Sequence, residues 1–262
     1  MSEPNPYQPP SASTAPVVPA SATDTSLPSG RAVDAGRSWE WIAEGFALFK
    51  KQPGTWILIL IVFIACTVLI SIVPVIGALA NVLLMQVFMG GLMLGCRALD
   101  RAENFEVGHL FAGFRQNTGD LVVLGVLTMV GWILAFIPAI AIVGVSAFMA
   151  TMMGGSQAIN VGAMGLSFAL ALLVALALAL PLYMALWFAP SLIVFNNLKP
   201  FDAMKKSFVA CLKNIVPFLL YGVIMLVLGT LATIPLGLGF LVLGPVAIAS
   251  IYTGYRDVFS AD

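Results

Sequence analysis

Side chains that could take part in acid–base chemistry are few in this sequence of 262 residues, and they lie outside its apolar stretches. A membrane enzyme generally needs carboxylates or histidines at the membrane surface, because these groups can donate and accept protons. The candidates are His109, Glu103, Glu106, Asp120, Asp202 and Asp257. Acidic residues are common near helix starts, where they stabilise the helix dipole, so we interpret these carboxylates as helix caps and ion-pair partners. The sequence therefore predicts a protein that is not an enzyme.

The spacings typical of metal and nucleotide sites are also absent from the sequence. A zinc site takes about three or four ligands, and Glu106 offers His109 at most one neighbour at helical spacing. Cys66, Cys96 and Cys211 show no CxxC spacing. There is no GxxxxGK[ST], HExxH or GxSxG motif. We therefore predict no catalytic residue, no metal and no cofactor.

The composition indicates a protein embedded in a membrane. Hydrophobic residues make up 60% of the chain and charged residues 9%, whereas about a quarter of the residues of a soluble domain are charged. The formal net charge is zero, so no overall field points to nucleic acid. The predicted partner is membrane lipid, and a protein partner or a homo-oligomer stays open.

All charged residues fall in four clusters, which cover residues 3–51, 97–120, 199–213 and 256–262. One membrane helix needs about 20 residues, and each uncharged stretch between the clusters is long enough for two. The positive-inside rule places the Lys and Arg residues of short loops in the cytoplasm. Four clusters on one side require an even number of spans between neighbours. We therefore predict six spans in a bacterial inner membrane, with both termini cytoplasmic.

The predicted fold class is all-α, a polytopic membrane helix bundle of three modules. Each module is a cytoplasmic amphipathic helix followed by a membrane hairpin. The amphipathic helices are predicted at about 38–52, 104–117 and 200–213. The spans are predicted at about 54–73, 76–96, 121–150, 164–195, 215–234 and 239–255. They form one transmembrane domain, 37–256, between a disordered Pro/Ser/Ala-rich tail, 1–36, and a C-terminal tail, 257–262. Four spans in 121–198 are the alternative to two.

The amphipathic helices carry residues suited to lipid headgroups or to a partner. In the first helix, Trp39, Ile42, Phe46 and Phe49 form an apolar stripe at helical spacing. Two placements fit this stripe, one in the membrane interface and one docked on the ends of the bundle. The aromatic and basic residues predicted to contact lipid or a partner are Trp39, Trp41, Lys50, Lys51, Trp56, Arg115, Lys205, Lys206 and Lys213.

None of the six predicted spans contains a charged residue, which disfavours transport coupled to an ion. The uncharged polar residues that could form an intramembrane cluster are Asn81, Gln86, Tyr183 and Ser191. Such groups usually hydrogen-bond between helices. The alternative is that they line a cleft for an amphiphile, around which the Met-rich and Gly-rich spans could repack. Gly91-x-x-x-Gly95 is predicted to allow close packing inside the bundle.

Two segments carry a resemblance to a known family. The sequences WEWIAEGFALF at 39–49 and PFDAMKKSF at 200–208 are similar to those of uncharacterised proteobacterial inner-membrane proteins with six spans. The second segment also resembles, more distantly, the membrane domain attached to some glycerophosphoryl diester phosphodiesterases. The resemblance implies an inner-membrane location and supplies no site residues. The predicted function is a non-enzymatic structural, assembly or regulatory role. The alternative is a permease or lipid-handling protein without ion coupling.

Overall fold

The computed structural model describes residues 30–153 and 161–259, and every regular element in these ranges is helical. The elements are α1 (Arg37–Lys51), α2 (Pro53–Ser71), α3 (Ile76–Asp100), a 3₁₀ helix (Val107–Phe114), α4 (Thr118–Met153), α5 (Val161–Trp187), α6 (Ala189–Asn196), α7 (Pro200–Lys213), α8 (Ile215–Thr233) and α9 (Phe240–Phe259). Within the described ranges, five helical segments are long and apolar enough to cross a membrane: α2, α3, α4, α5 with α6, and α8. The predicted all-α membrane bundle is confirmed.

The helix α9 covers the sixth predicted span and differs from the other five segments. It begins in apolar sequence at Phe240, but its last turn carries Arg256 and Asp257. Its residues from Ala249 onward are mostly buried inside the protein. The length and apolar composition of the described helices therefore support five spans, and the count of six stays a prediction.

Each surface helix packs on the second helix of a hairpin, and the first surface helix packs on the last hairpin, so the order is circular. The 3₁₀ helix packs mainly on α3, the second helix of the hairpin before it. Likewise, α7 packs mainly on α5. The first helix, α1, has no preceding hairpin and packs mainly on α9, the second helix of the last hairpin. Each surface helix therefore occupies an equivalent place relative to a hairpin, and the organisation in three modules stays a prediction.

Buried side chains concentrate at one end of the bundle. In α2 the buried residues are Trp56 and Ile59, near its start. In α3 they lie mostly from Gln86 onward, and in α9 from Pro245 onward. This end holds the charged residues of the described ranges together with α1, the 3₁₀ helix and α7, and we call it the polar end. The opposite ends of the spans expose apolar side chains, as expected for surface in contact with lipid hydrocarbon.

The second amphipathic helix differs from its prediction over 104–117. The structure forms only a 3₁₀ helix of eight residues, which starts with a capping box between Glu106 and His109. Its two glycines disfavour an α-helix. The segment also lies directly on the backbone of α3, since a Cβ atom at Gly113 would lie 2.1 Å from the carbonyl oxygen of Val87. The segment thus packs closely on α3 as a short 3₁₀ helix and does not form the predicted α-helix.

Two further features differ from the predicted ones. The predicted span 164–195 is interrupted at Phe188, just before Pro190, whose missing N–H disfavours a continuous helix. The predicted C-terminal tail, 257–262, begins inside α9, which continues to Phe259. Of the predicted disordered tail, residues 1–29 lie outside the described residues, as do 260–262 at the other end.

Candidate functional site

Asp257 is the centre of a buried hydrogen-bond network at the polar end. Its side chain is only 4% exposed. Oδ2 accepts hydrogen bonds from Nε of Arg37 at 2.7 Å and from Nε1 of Trp41 at 2.8 Å, while Oδ1 accepts one from Nη2 of Arg31 at 2.7 Å. Burial opposes ionisation, but these hydrogen bonds outweigh it and hold the pKa of the Asp257 carboxyl below its usual value. The charged carboxylate therefore fastens the beginning of the described chain to its end.

Further ion pairs connect the remaining charged clusters. Arg256 binds Asp100 of the second cluster at 2.8 Å and Glu44 of the first at 2.6 Å. Lys199 of the third cluster lies 3.3 Å from Asp120 of the second. Together with the bonds of Asp257, these pairs bring all four clusters to the same end of the bundle. That arrangement is what the predicted topology requires, and the side of the membrane on which this end lies stays a prediction.

Two tryptophans predicted to contact lipid headgroups or a partner are inside the protein. Trp41 and Trp56 are 2% and 1% exposed. Trp41 lies beneath Asp257, and Trp56 packs on Phe105 with ring centroids 4.7 Å apart. The prediction is corrected for these two residues, because their rings contact protein. Only Trp39, which is 58% exposed, keeps the predicted surface position on α1.

The basic residues predicted to contact lipid or a partner lie on the surface of the polar end, half-buried or exposed: Lys50, Lys51, Arg115, Lys205, Lys206 and Lys213. Lys51 and Lys213 are among those that also hold the fold together. The ammonium group of Lys51 donates a 3.0 Å hydrogen bond to the carbonyl oxygen of Leu99, and that of Lys213 donates one of 3.1 Å to Gly30. Contact of this set with lipid or a partner stays a prediction.

The four polar residues predicted to form one intramembrane cluster lie in separate places. Asn81 donates a 2.8 Å hydrogen bond to Ser71, which joins α3 to α2. Gln86 donates a 3.2 Å hydrogen bond to Thr128, which joins α3 to α4. These two residues therefore link helices, the first of the two uses predicted for them.

The other two polar residues of that set have different surroundings. Tyr183 is 55% exposed and packs against Trp132, with ring centroids 5.4 Å apart. Ser191 is fully buried, and its hydroxyl has no hydrogen-bond partner within the described residues. Of the four residues, Gln86 and Tyr183 line a common space.

Two cavities lie side by side between the membrane helices. One, of about 500 Å³, is bounded by α5, α7, α8 and α9, and we call it the apolar cleft. Its lining includes Met184, Trp187, Phe218, Tyr221, Gly222 and Met225. The second, of about 330 Å³, lies between α3, α4, α5, α6 and α9 and contains Gln86. Tyr183, Trp187 and Ile251 line both, so one wall separates the two spaces.

The apolar cleft offers apolar and aromatic surface and no charged side chain. Trp187 packs edge-on against Phe218 and Tyr221, each at 5.5 Å between ring centroids. The hydroxyl of Tyr221 is already hydrogen-bonded to Ser250 at 2.7 Å. These contacts favour binding of a hydrocarbon chain over acid–base chemistry.

Among the side chains that line the cleft, the thiol of Cys211 belongs to the most reactive type. Burial raises its pKa to about 12, against the smaller opposing effect of the hydrogen bond with Ser207. The thiol therefore stays protonated at neutral pH, and a protonated thiol is a poor nucleophile. Cys211 contributes packing surface to the cleft and gives no support for covalent catalysis.

The sequence analysis did not predict the aromatic wall of the cleft. Trp187 and Phe218 belong to different helices, and only the folded chain brings them together. A weak signal exists in the sequence, since Trp187, Phe218 and Tyr221 lie near the ends of the two spans that flank α7. Met-rich and Gly-rich spans were the predicted mark of such a cleft, and Met184, Gly222 and Met225 do line it.

The bundle, its apolar outer surface and its uncharged cleft define an integral membrane protein built only of helices within the described ranges. The chain is 30% identical over 250 residues to a probable inner membrane protein of Burkholderia thailandensis, with 87% of this chain and 92% of the relative covered. It belongs to that family of inner-membrane proteins. No family model matches the chain, and no solved structure matches it. The predicted inner-membrane family is thereby supported, and the likeness to the phosphodiesterase-linked membrane domain stays a prediction.

Proposed function

We propose that this protein binds the hydrocarbon chain of a membrane amphiphile in the apolar cleft, with no catalytic step and no coupling to an ion. One observation carries the proposal, the uncharged cleft of about 500 Å³ between α5 and α8. This volume falls in the usual range of ligand sites, about 300–1,000 Å³. Aromatic rings and flexible methionines on its walls can adapt to an acyl chain. Of the two functions predicted from the sequence, lipid handling therefore has the stronger support.

The position of the polar end in the membrane is part of this proposal. Six spans would leave both termini and all four charged clusters on the cytoplasmic side. The ion pairs between Arg256 and Asp100 and between Lys199 and Asp120 support a single side for the clusters. The excess of Lys and Arg in these short segments supports the cytoplasm as that side.

Filling the cleft tests the proposal. A Cβ atom at Gly222 would have no atom within 4 Å, so Gly222→Leu adds a side chain to the cleft wall without a clash. The protein would be purified in mild detergent, and its retained lipid would be quantified by native mass spectrometry. We expect the wild type to retain lipid and Gly222→Leu to retain several-fold less.

A matched control is available on α4. Gly144 also has open space at its Cβ position and does not line the cleft, so Gly144→Leu adds the same surface elsewhere in the bundle. This variant should retain lipid like the wild type. Equal retention by Gly222→Leu and Gly144→Leu, or no retained lipid in the wild type, would count against the proposal.

A structural or assembly role is the second proposal, and one feature of α1 favours it. Trp39 and Phe46 are 58% and 42% exposed, and the ammonium group of Lys50 lies 5.1 Å from the Phe46 ring centroid. Aromatic residues are enriched at protein–protein interfaces, so this exposed surface is suited to a contact with a second copy of the chain. The double substitution Trp39→Ala with Phe46→Ala should then lower the mass measured by light scattering. An unchanged mass would refute this role for the surface.

A further inference from the structure

We infer that the amphiphile of the apolar cleft is an acidic phospholipid whose phosphate lies against α7. This inference rests on the proposed function. It starts from the energetics of an acyl chain, which exchanges bilayer hydrocarbon for an apolar protein surface and so gains little hydrophobic free energy. The cleft alone therefore discriminates weakly between lipids, and selectivity must come from the place where the headgroup lies.

The helix α7 stands at the headgroup end of the cleft. Cys211, near its end, lines the cleft, and Ile215, the first residue of α8, lines it as well. The apolar walls then continue along α8 to Met225, away from the polar end. An acyl chain along α8 would therefore place its headgroup beside the last two turns of α7.

Positive charge is concentrated on this part of α7. The helix carries three lysines, Lys205, Lys206 and Lys213, and a single carboxylate, Asp202. With a rise of about 1.5 Å per residue, each lysine lies within about 9 Å of Cys211 along the helix axis, whereas Asp202 lies about 13 Å away. The ammonium group of Lys213 also donates a hydrogen bond to the carbonyl oxygen of Gly30, which keeps its charge at the end of α7.

The exposed face of α7 has the mixed character of a helix at a lipid headgroup layer. Phe201 and Leu212 are 71% and 48% exposed, and Lys205 is exposed on the same helix. Apolar side chains can enter the acyl boundary while lysines contact phosphate groups. This mixed surface is a second observation that suits α7 to a position in the headgroup layer.

The test compares two lipids that differ in the headgroup alone. Purified full-length protein would be mixed in detergent with equal amounts of dioleoyl phosphatidylglycerol and dioleoyl phosphatidylethanolamine, and bound lipid would be measured by native mass spectrometry. Each lysine near an anionic lipid is expected to favour it about fivefold. We expect phosphatidylglycerol to be preferred in the wild type, and this preference to be at least fivefold smaller in Lys205→Gln with Lys206→Gln. This double variant keeps Lys213 and its bond to Gly30.

The control removes the same charge elsewhere at the polar end, through Arg97→Gln with Arg101→Gln at the end of α3. That variant should keep the preference. Equal preference for phosphatidylglycerol in the α7 variant and the control would overturn the inference and leave the proposed function intact. If Gly222→Leu retains as much lipid as the wild type, the proposed function is refuted instead, whatever the headgroup ratio.

Discussion

The indole of Trp41 and the carboxylate of Asp257 are joined by a 2.8 Å hydrogen bond, although 216 positions separate them in the chain. Trp41 belongs to α1 and Asp257 to the last turn of α9, so this bond links the first and last helices of the described chain. The same carboxylate also binds Arg31 and Arg37. One carboxylate therefore connects both ends of the described chain at the polar end.

Substitution of Asp257 should destabilise the protein. Asp257→Asn keeps the size of the side chain but leaves two arginines without their buried counter-charge, which we expect to cost about 2–4 kcal/mol. Thermal unfolding in detergent would measure the effect as a lowered Tm. The exposed residue Asp34 provides the control, since Asp34→Asn makes the same charge change at the surface. Equal Tm values for the two variants would contradict the prediction.

The contribution of Asp257 should also depend on pH. Its pKa is lower in the folded protein than in the unfolded chain, where an aspartate titrates near about 4. The folded state therefore gains stability from this group above about pH 4 and loses it as the pH falls through the lower folded pKa. The Tm difference between the wild type and Asp257→Asn should be constant from pH 8 to 6 and shrink in acid. A difference that grows on acidification would disagree with this network.

A methyl group at Gly45 should force α1 away from α9. The Cβ atom of an alanine there would lie 2.9 Å from the backbone nitrogen of Ser250 and 2.9 Å from the carbonyl oxygen of Val246. We expect Gly45→Ala to destabilise the protein by about 1–3 kcal/mol in thermal unfolding. Gly54→Ala is the control, because its Cβ position has no atom within 4 Å. Alanine at this helical position should leave Tm unchanged or slightly raised, and a Gly45→Ala variant as stable as the control would contradict the close approach.

Reporter fusions would test the proposed membrane topology. Alkaline phosphatase, which is active only outside the cytoplasm, should be active when fused after Pro74 or Leu236, in the turns farthest from the polar end. It should be inactive after Glu103, between α3 and the 3₁₀ helix. A fusion after Asn160, which lies outside the described residues, is also expected to be active. Activity at Glu103 would reverse the orientation, and inactivity at Asn160 would favour four crossings in the middle of the chain.

Local signals in the sequence predicted the helices well. The helix α7 was predicted at 200–213 and is found at Pro200–Lys213, because Pro200, Asp202 and Lys213 mark its ends within the segment itself. The spans follow directly from long apolar runs. Gly91 and Gly95 were predicted to pack inside the bundle, and Cβ atoms there would each lie 2.6 Å from the 3₁₀ segment or Phe105.

Local sequence signals do not predict contacts between distant parts of the chain. Periodicity shows that α1 has an apolar face but not that α9 covers it. Trp41 and Trp56 look the same in the sequence as the exposed Trp39, since an indole suits both a core and a membrane interface. The aromatic wall of the cleft needs Trp187 and Phe218 from separate helices, and the winding of the 3₁₀ helix depends on the backbone of α3. These features exist only through tertiary packing.

The packing of α1 on α9 gives the bundle a closed circular order. Each surface helix sits on the hairpin that precedes it, and the backbone N–H of Arg31 donates a 2.9 Å hydrogen bond to the carbonyl oxygen of Val258, so the two ends of the described chain meet. A circular permutant, with these ends joined and new termini opened in the loop between α3 and the 3₁₀ helix, would keep every contact between modules. In this circular order no module is structurally the first or the last.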